Sequence, residues 1–187
     1  MFDFIQIVYW LALSTWFGGV LFIAVAAPII MRAMRDEKPV LPGVLSVNLE
    51  GQHGTLLGGS VIGRIMEVLF RLELACAAAI LVTLIAQWMI LRPTGGYVVT
   101  PLLRVVVYLG AVVLMIYHWR VLWPRMWKQR QEYIDHADEP DVANPALEQL
   151  DRLQGESAMV LFFLVALLGG LIVFSANIRP AIVLPAS

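Results

Sequence analysis

Four stretches of the chain carry no charged residue: Phe4–Met31, Leu74–Leu91, Val105–Trp119 and Ser157–Ile178. An α-helix rises about 1.5 Å per residue, so a hydrocarbon layer of about 30 Å takes about 20 apolar residues to cross. The first and last stretches meet that length unaided. The second meets it with Glu73 and Arg92 at the two interfaces. The third meets it if Arg104 and Arg120 snorkel outward from its ends. The pattern predicts an all-α fold, a four-helix transmembrane bundle. Its spans are expected at about 4–31, 72–91, 101–123 and 157–178, joined by loops 32–71 and 124–156 in one membrane domain over 1–187. Ala24-Val25-Ala26 has the form of a signal-peptidase site, yet no basic residue precedes the apolar run, so the first span is expected to be retained.

The segments between the spans carry their own signals. Pro39, Pro42, Gly43, Gly51, Gly54, Gly58 and Gly59 predict a turn-rich loop over 39–60. From Ser60 a helical pattern runs into the second span, with Arg64, Glu67 and Arg71 in one stripe. After the third span Trp119, Trp123 and Trp127 recur every four residues beside Arg120, Arg125 and Lys128, the pattern of interface anchors. Pro124 is expected to kink or restart the helix there. The acidic run Glu132–Asp141 reads as a loop. Asn144 is then an N-cap with Pro145 at the first helical position, and Leu147, Leu150 and Leu153 line one face of a short helix.

Composition sharpens this. Only 14% of the 187 residues are charged and 60% are hydrophobic, against about 25% and 45–50% for soluble domains, which excludes a soluble enzyme, a disordered tail and a disulfide scaffold. Ten of the 13 basic residues fall in 32–73 and 120–156. The positive-inside rule predicts that these segments are cytoplasmic and that both termini lie outside; the expected location is the plasma (inner) membrane. Acids balance bases within those loops, so no nucleic-acid partner is expected. The lone cysteine, Cys76, can form no intrachain disulfide.

The candidate chemistry is sparse. Ser14-xxx-Gly18, Thr15-xxx-Gly19 and Ala166-xxx-Gly170 are small-residue pairs suited to close helix packing. No ionisable residue is expected at mid-depth, and His53, His118 and His136 lack metal-ligand spacing. Topology brings Arg64, Glu67, Glu73, Arg120, Arg125 and Gln154 toward one cytoplasmic mouth, the candidate functional surface.

Several of these motifs resemble the transmembrane protein 205-like family (domain of unknown function 4149). The likeness rests on Ser14-Thr15-Trp16-Phe17-Gly18-Gly19, Gly59-xxx-Gly63-Arg64, Leu72-Glu73-Leu74-Ala75, His118-Trp119 with Trp123-Pro124-Arg125, and Leu150-Asp151-Arg152-Leu153-Gln154-Gly155-Glu156-Ser157. The family carries Leu-His-x-x-Ser in the last motif, where this chain has Gln154. The resemblance implies a small integral membrane domain without a defined activity. A more distant likeness joins the first span to copper-resistance D proteins and the membrane protoporphyrinogen oxidase, where a haem-ligating histidine would fall on Tyr9. The leading expectation is therefore a non-enzymatic multi-pass membrane protein, a scaffold or a handler of small solutes or metals. It would contact the lipid bilayer and a second copy or another membrane protein, with no predicted cofactor. The alternatives are an oxidoreductase binding haem or quinone through His118 and Tyr9, and a subunit of a larger membrane complex.

Overall fold

The computed structural model describes residues 2–36, 53–91, 99–136 and 139–176. Helix α1 is Phe2–Asp36, α2 His53–Leu91, α3 Val99–Tyr117, α4 Trp123–Asp135 and α5 Pro140–Ala176, with a π-helical turn at His118–Leu122 fusing α3 to α4. The described residues thus form four long rods, each apolar and long enough to cross a membrane. The fold is all-α, as the hydropathy pattern predicts.

Each rod buries a seam whose steps alternate between three and four residues. On α1 it runs Tyr9, Leu13, Trp16, Val20, Ile23; on the third rod, Arg104, Tyr108, Ala111, Met115, His118, Leu122. Met66, Phe70, Glu73, Ala77 and Ile80 continue it on α2, and Leu161, Leu164, Leu168, Leu171 and Ser175 on α5. A mean step of about 3.5 residues is the spacing of left-handed helix bundles. The outward faces are equally apolar, with Phe4, Phe22, Met89, Phe162 and Val173 all exposed. In water such a surface would drive aggregation; against lipid tails it is the matched surface.

Helix α1 packs along α2 and α5, and α5 packs along α3 and α4, whereas α2 meets α3 only lightly. Glycines set the α1–α2 approach. A Cβ on Gly19 would lie 2.9 Å from Leu69 Cδ1, and one on Gly58 would lie 3.0 Å from Met31 Sδ and 3.4 Å from Met34 Cβ. This corrects the loop expected over 39–60. Residues 53–60 are helical, with Gly58 packed closely against Met31 and Met34 of α1, and 37–52 lie outside the described residues.

The acidic loop also shrinks. Helix α4 runs to Asp135 and α5 begins at Pro140, so Pro140 takes the early position that suits proline, and Pro145 sits inside the helix instead of opening it. Pro124 is the second residue of α4, where the α-helix resumes directly after the π turn. A proline ring collides with the carbonyl four residues back and leaves it without a donor. The π turn spreads the backbone just ahead of it, and Trp123 N–H bonds the His118 carbonyl across the wider loop.

Gly18, one residue from Gly19, has nothing within 4 Å of where its Cβ would be. Gly19→Leu should therefore cost about 1–3 kcal/mol through overpacking, while Gly18→Leu should stay within about 0.5 kcal/mol of the parent. Thermal unfolding in one detergent reads the difference.

Candidate functional site

Lipid offers polar groups no water, so each must find a partner inside the protein. The buried polar side chains are Glu73, Thr83, Gln87, Arg104, His118, Ser157 and Ser175. Thr83 satisfies itself by donating to the Ile80 carbonyl one turn back. The others gather at two levels, and a cavity lies at one end of the bundle.

At the first level α3 turns Arg104 into the bundle, 4% exposed, rather than out to an interface as its place at the edge of an apolar run predicts. Its Nε donates to Ser175 Oγ at 3.1 Å and one terminal nitrogen donates to Gln87 Oε1 at 3.2 Å. The guanidinium also lies over the Tyr9 ring, 4.7 Å from its centroid, a cation–π contact. Tyr9 Oη and Ser175 Oγ are 2.7 Å apart. All four rods contribute: Tyr9 from α1, Gln87 from α2, Arg104 from α3 and Ser175 from α5.

The second level lies near the middle of the rods. His118, at the start of the π turn, sits 2.7 Å by Nε2 from Ser157 Oγ and edge-on to Phe70, centroids 5.3 Å apart. Glu73 is 2% exposed, one turn along α2 from Phe70, and its Oε2 has no partner among the described residues. Since α1 and α2 run antiparallel through the Gly19–Leu69 contact, Trp16 and Glu73 both lie one turn beyond it in the same direction. The Trp16 indole N–H is likewise buried and unpartnered. Glu73 was expected at an interface; it faces the interior, so the bundle does hold a buried carboxyl.

Beyond this level, toward the ends bearing Met31 and Trp127, a cavity of about 350 Å³ opens between α1, α2, α4 and α5. Ile23 and Ala27, Met31 and Met66, and Trp123 and Leu161 line its walls. Its polar lining includes Arg130, Tyr133, Gln154 and Ser157. Among the described residues Arg130 is the one charged side chain on the wall, with its guanidinium 5.2 Å from the centroid of the Trp127 ring. Of the aromatic stripe expected as lipid anchors, Trp123 and Trp127 line the cavity. Trp119 and Trp123 are half-buried, with ring centroids 6.2 and 5.9 Å from that of Phe70. Trp123 and Trp127 both pass close to Gly63. Trp127 is half-exposed.

The candidate mouth cluster does not assemble. Arg64, Glu67, Arg120 and Arg125 are exposed, Glu73 is buried, and Gln154 is half-buried on the cavity wall. Arg64 lies in a shallow groove beside Gly19, Phe22 and Ile23 of α1, and Arg120 stacks on Trp119. Of the small-residue pairs, Gly19 makes the tight contact with α2, and Gly170 is half-buried beside Phe174 of its own helix. Ser14, Thr15, Gly18 and Ala166 face outward.

Tyr9 and His118 do not form one haem site. Their partners on α5, Ser175 and Ser157, are 18 residues apart, about 27 Å along a helix, whereas two axial ligands must meet at a single iron. Phe70 and Ser157 also occupy the surroundings of the His118 ring. Among the described residues no group of three or more His, Cys, Asp or Glu side chains could hold a metal ion.

Comparison with protein-family models, curated proteins and solved structures gives no match for this chain. Fold and hydropathy together define a multi-pass membrane protein of four candidate spans.

Sequence reasoning missed the inward-facing Arg104 and Glu73, although the three-four spacing of each seam carries the signal. The His118–Ser157 bond is testable by a double-mutant cycle. Ser157→Ala leaves a buried ring nitrogen without its partner and should cost about 1–3 kcal/mol. In a His118→Phe background the same change should cost at least about 1 kcal/mol less, read by chemical unfolding in micelles.

Proposed function

We propose that this protein is a membrane-embedded binding protein for a small amphiphile, a handler of such molecules rather than an enzyme. The cavity carries the reading. A volume of about 350 Å³ falls within the range of ligand sites, which are mostly apolar with a few placed polar groups. Aliphatic walls suit a hydrocarbon tail, while Gln154, Tyr133 and Arg130 offer hydrogen bonds to a polar end. Met31, Met66 and Met126 line it with flexible thioethers that adapt to tails of different shape.

The positive-inside bias supports an orientation with this cavity at the cytoplasmic face of the plasma membrane and both termini outside. An amphiphile would then enter from the inner leaflet. We also propose kinship with the transmembrane protein 205-like family. In support, the resembling motifs fall on structural features: Gly19 at the α1–α2 contact, Trp123 and Gly63 beside the cavity, and Ser157 on its wall. Gln154, which stands where that family has histidine, lines the same cavity. A neutral amide there keeps the hydrogen bonding and removes the titratable ring.

Filling the cavity tests the proposal. Lysophosphatidylglycerol and oleate should bind the purified protein with one saturable site by native mass spectrometry. Ala27→Trp, on the cavity wall, should weaken that binding by about tenfold or more, equivalent to about 1.4 kcal/mol. Ala166→Trp, on an outward face, should leave it unchanged. Equal binding by both variants would refute the cavity as the site.

A further inference from the structure

The Arg104 level has a hydrogen-bond inventory that does not close. A guanidinium has five N–H donors and no acceptor, an amide side chain has two N–H donors and one oxygen, and a hydroxyl donates once and accepts twice. Ser175 Oγ donates to the Leu171 carbonyl, so Tyr9 Oη must be the donor in their 2.7 Å contact. With Arg104 Nε–H as the second donor, the Ser175 oxygen is full. Gln87 Oε1 accepts from Arg104, which fixes the amide's orientation and leaves its Nε2 buried with no partner. Three Arg104 N–H groups and both Gln87 N–H groups therefore have no acceptor among the described residues.

Charge is unbalanced in the same direction. No carboxylate of the described residues pairs with Arg104, although it is 4% exposed and Gln87 is 3% exposed. A buried cation without a counter-ion is among the least tolerable arrangements in a protein interior, and within a membrane such residues pair or mark a ligand. Gln6 Oε1, one turn from Tyr9 on α1, is an unpartnered acceptor, but it is neutral and bonds to neither Arg104 nor Gln87.

We propose that Arg104 and Gln87, held in place by Ser175 and Tyr9, form a buried binding site for a small oxyanion group, a carboxylate or phosphate. The guanidinium fork presents parallel N–H groups that match two oxygens of such an anion, and the Gln87 amide supplies a third donor direction. Four rods converge on the site, so an anion there ties the whole bundle together at the end remote from the cavity. It rests on different residues from the amphiphile site and does not depend on it. The oxyanion can come from solution or from the headgroup of an anionic lipid; the chemistry at Arg104 is the same.

Two sets of measurements test this. The purified protein is melted in a zwitterionic detergent with increasing inorganic phosphate or acetate, at ionic strength held constant by compensating chloride. In parallel it is melted in nanodiscs of phosphatidylcholine with increasing phosphatidylglycerol. The expected result is a saturable rise in Tm in at least one arm, and the arm that responds identifies the source. Arg104→Gln should abolish the rise. Gln87→Glu is the decisive variant, because it builds a carboxylate into the site. It should raise the Tm without added anion and flatten the titration, with an apparent Kd about tenfold weaker or beyond detection. A Tm that responds to neither phosphate, acetate nor anionic lipid would overturn the proposal, and so would a Gln87→Glu protein that titrates like the parent.

Discussion

Everything in this bundle follows from the absence of water around its apolar half. A polar side chain on the outer face of a span can bond only to its own helix, as Ser14 does to the Leu11 carbonyl, so the spans show lipid mostly hydrocarbon and aromatic surface. The same constraint drives the polar residues inward, to partners on other helices. Tyr108 donates to the Ala77 carbonyl at 2.8 Å, His118 meets Ser157, and Arg104 bridges α2 and α5. Helices in lipid lack a hydrophobic drive toward each other. Such bonds, with tight contacts such as Gly19 on Leu69, supply the association that burial supplies in water.

The sequence made the spans legible because length and charge are one-dimensional quantities. It made the direction of side chains around each helix much less so. Arg104 and Glu73 border charge-free runs, and a charge at the edge of a run reads as an interface residue. Depth along a helix and direction around it are independent, though. Arg104 shares a three-four seam with Tyr108, Ala111, Met115 and His118, which places it inside. The glycines and prolines misled for a related reason. Gly58 serves a helix–helix contact rather than a turn, and Pro124 is absorbed by a π turn that no local composition announces. The cavity was least legible of all, since it is a property of four rods and of none singly. Only Gln154 among the mouth candidates reaches its wall.

The cavity has a mechanical origin in the unequal spacing of the rods. Glycines let α1 lie tightly on α2, while Phe70, Trp119 and Trp123 stand between α2 and the third rod as bulky spacers. The π turn lies at the level of those spacers, and its C-terminal neighbour Trp123 lines the cavity. A helix that had only to cross the membrane would gain nothing from such a turn. π turns carry one unmatched residue and weaken the local hydrogen bonds. Here that weakness coincides with His118, whose ring reaches Ser157, and Ser157 in turn lines the cavity. A molecule entering the cavity would therefore touch a residue bonded to the first residue of the π turn. On the proposed binding role, one hydroxyl would join the occupant of the cavity to the turn that links α3 and α4.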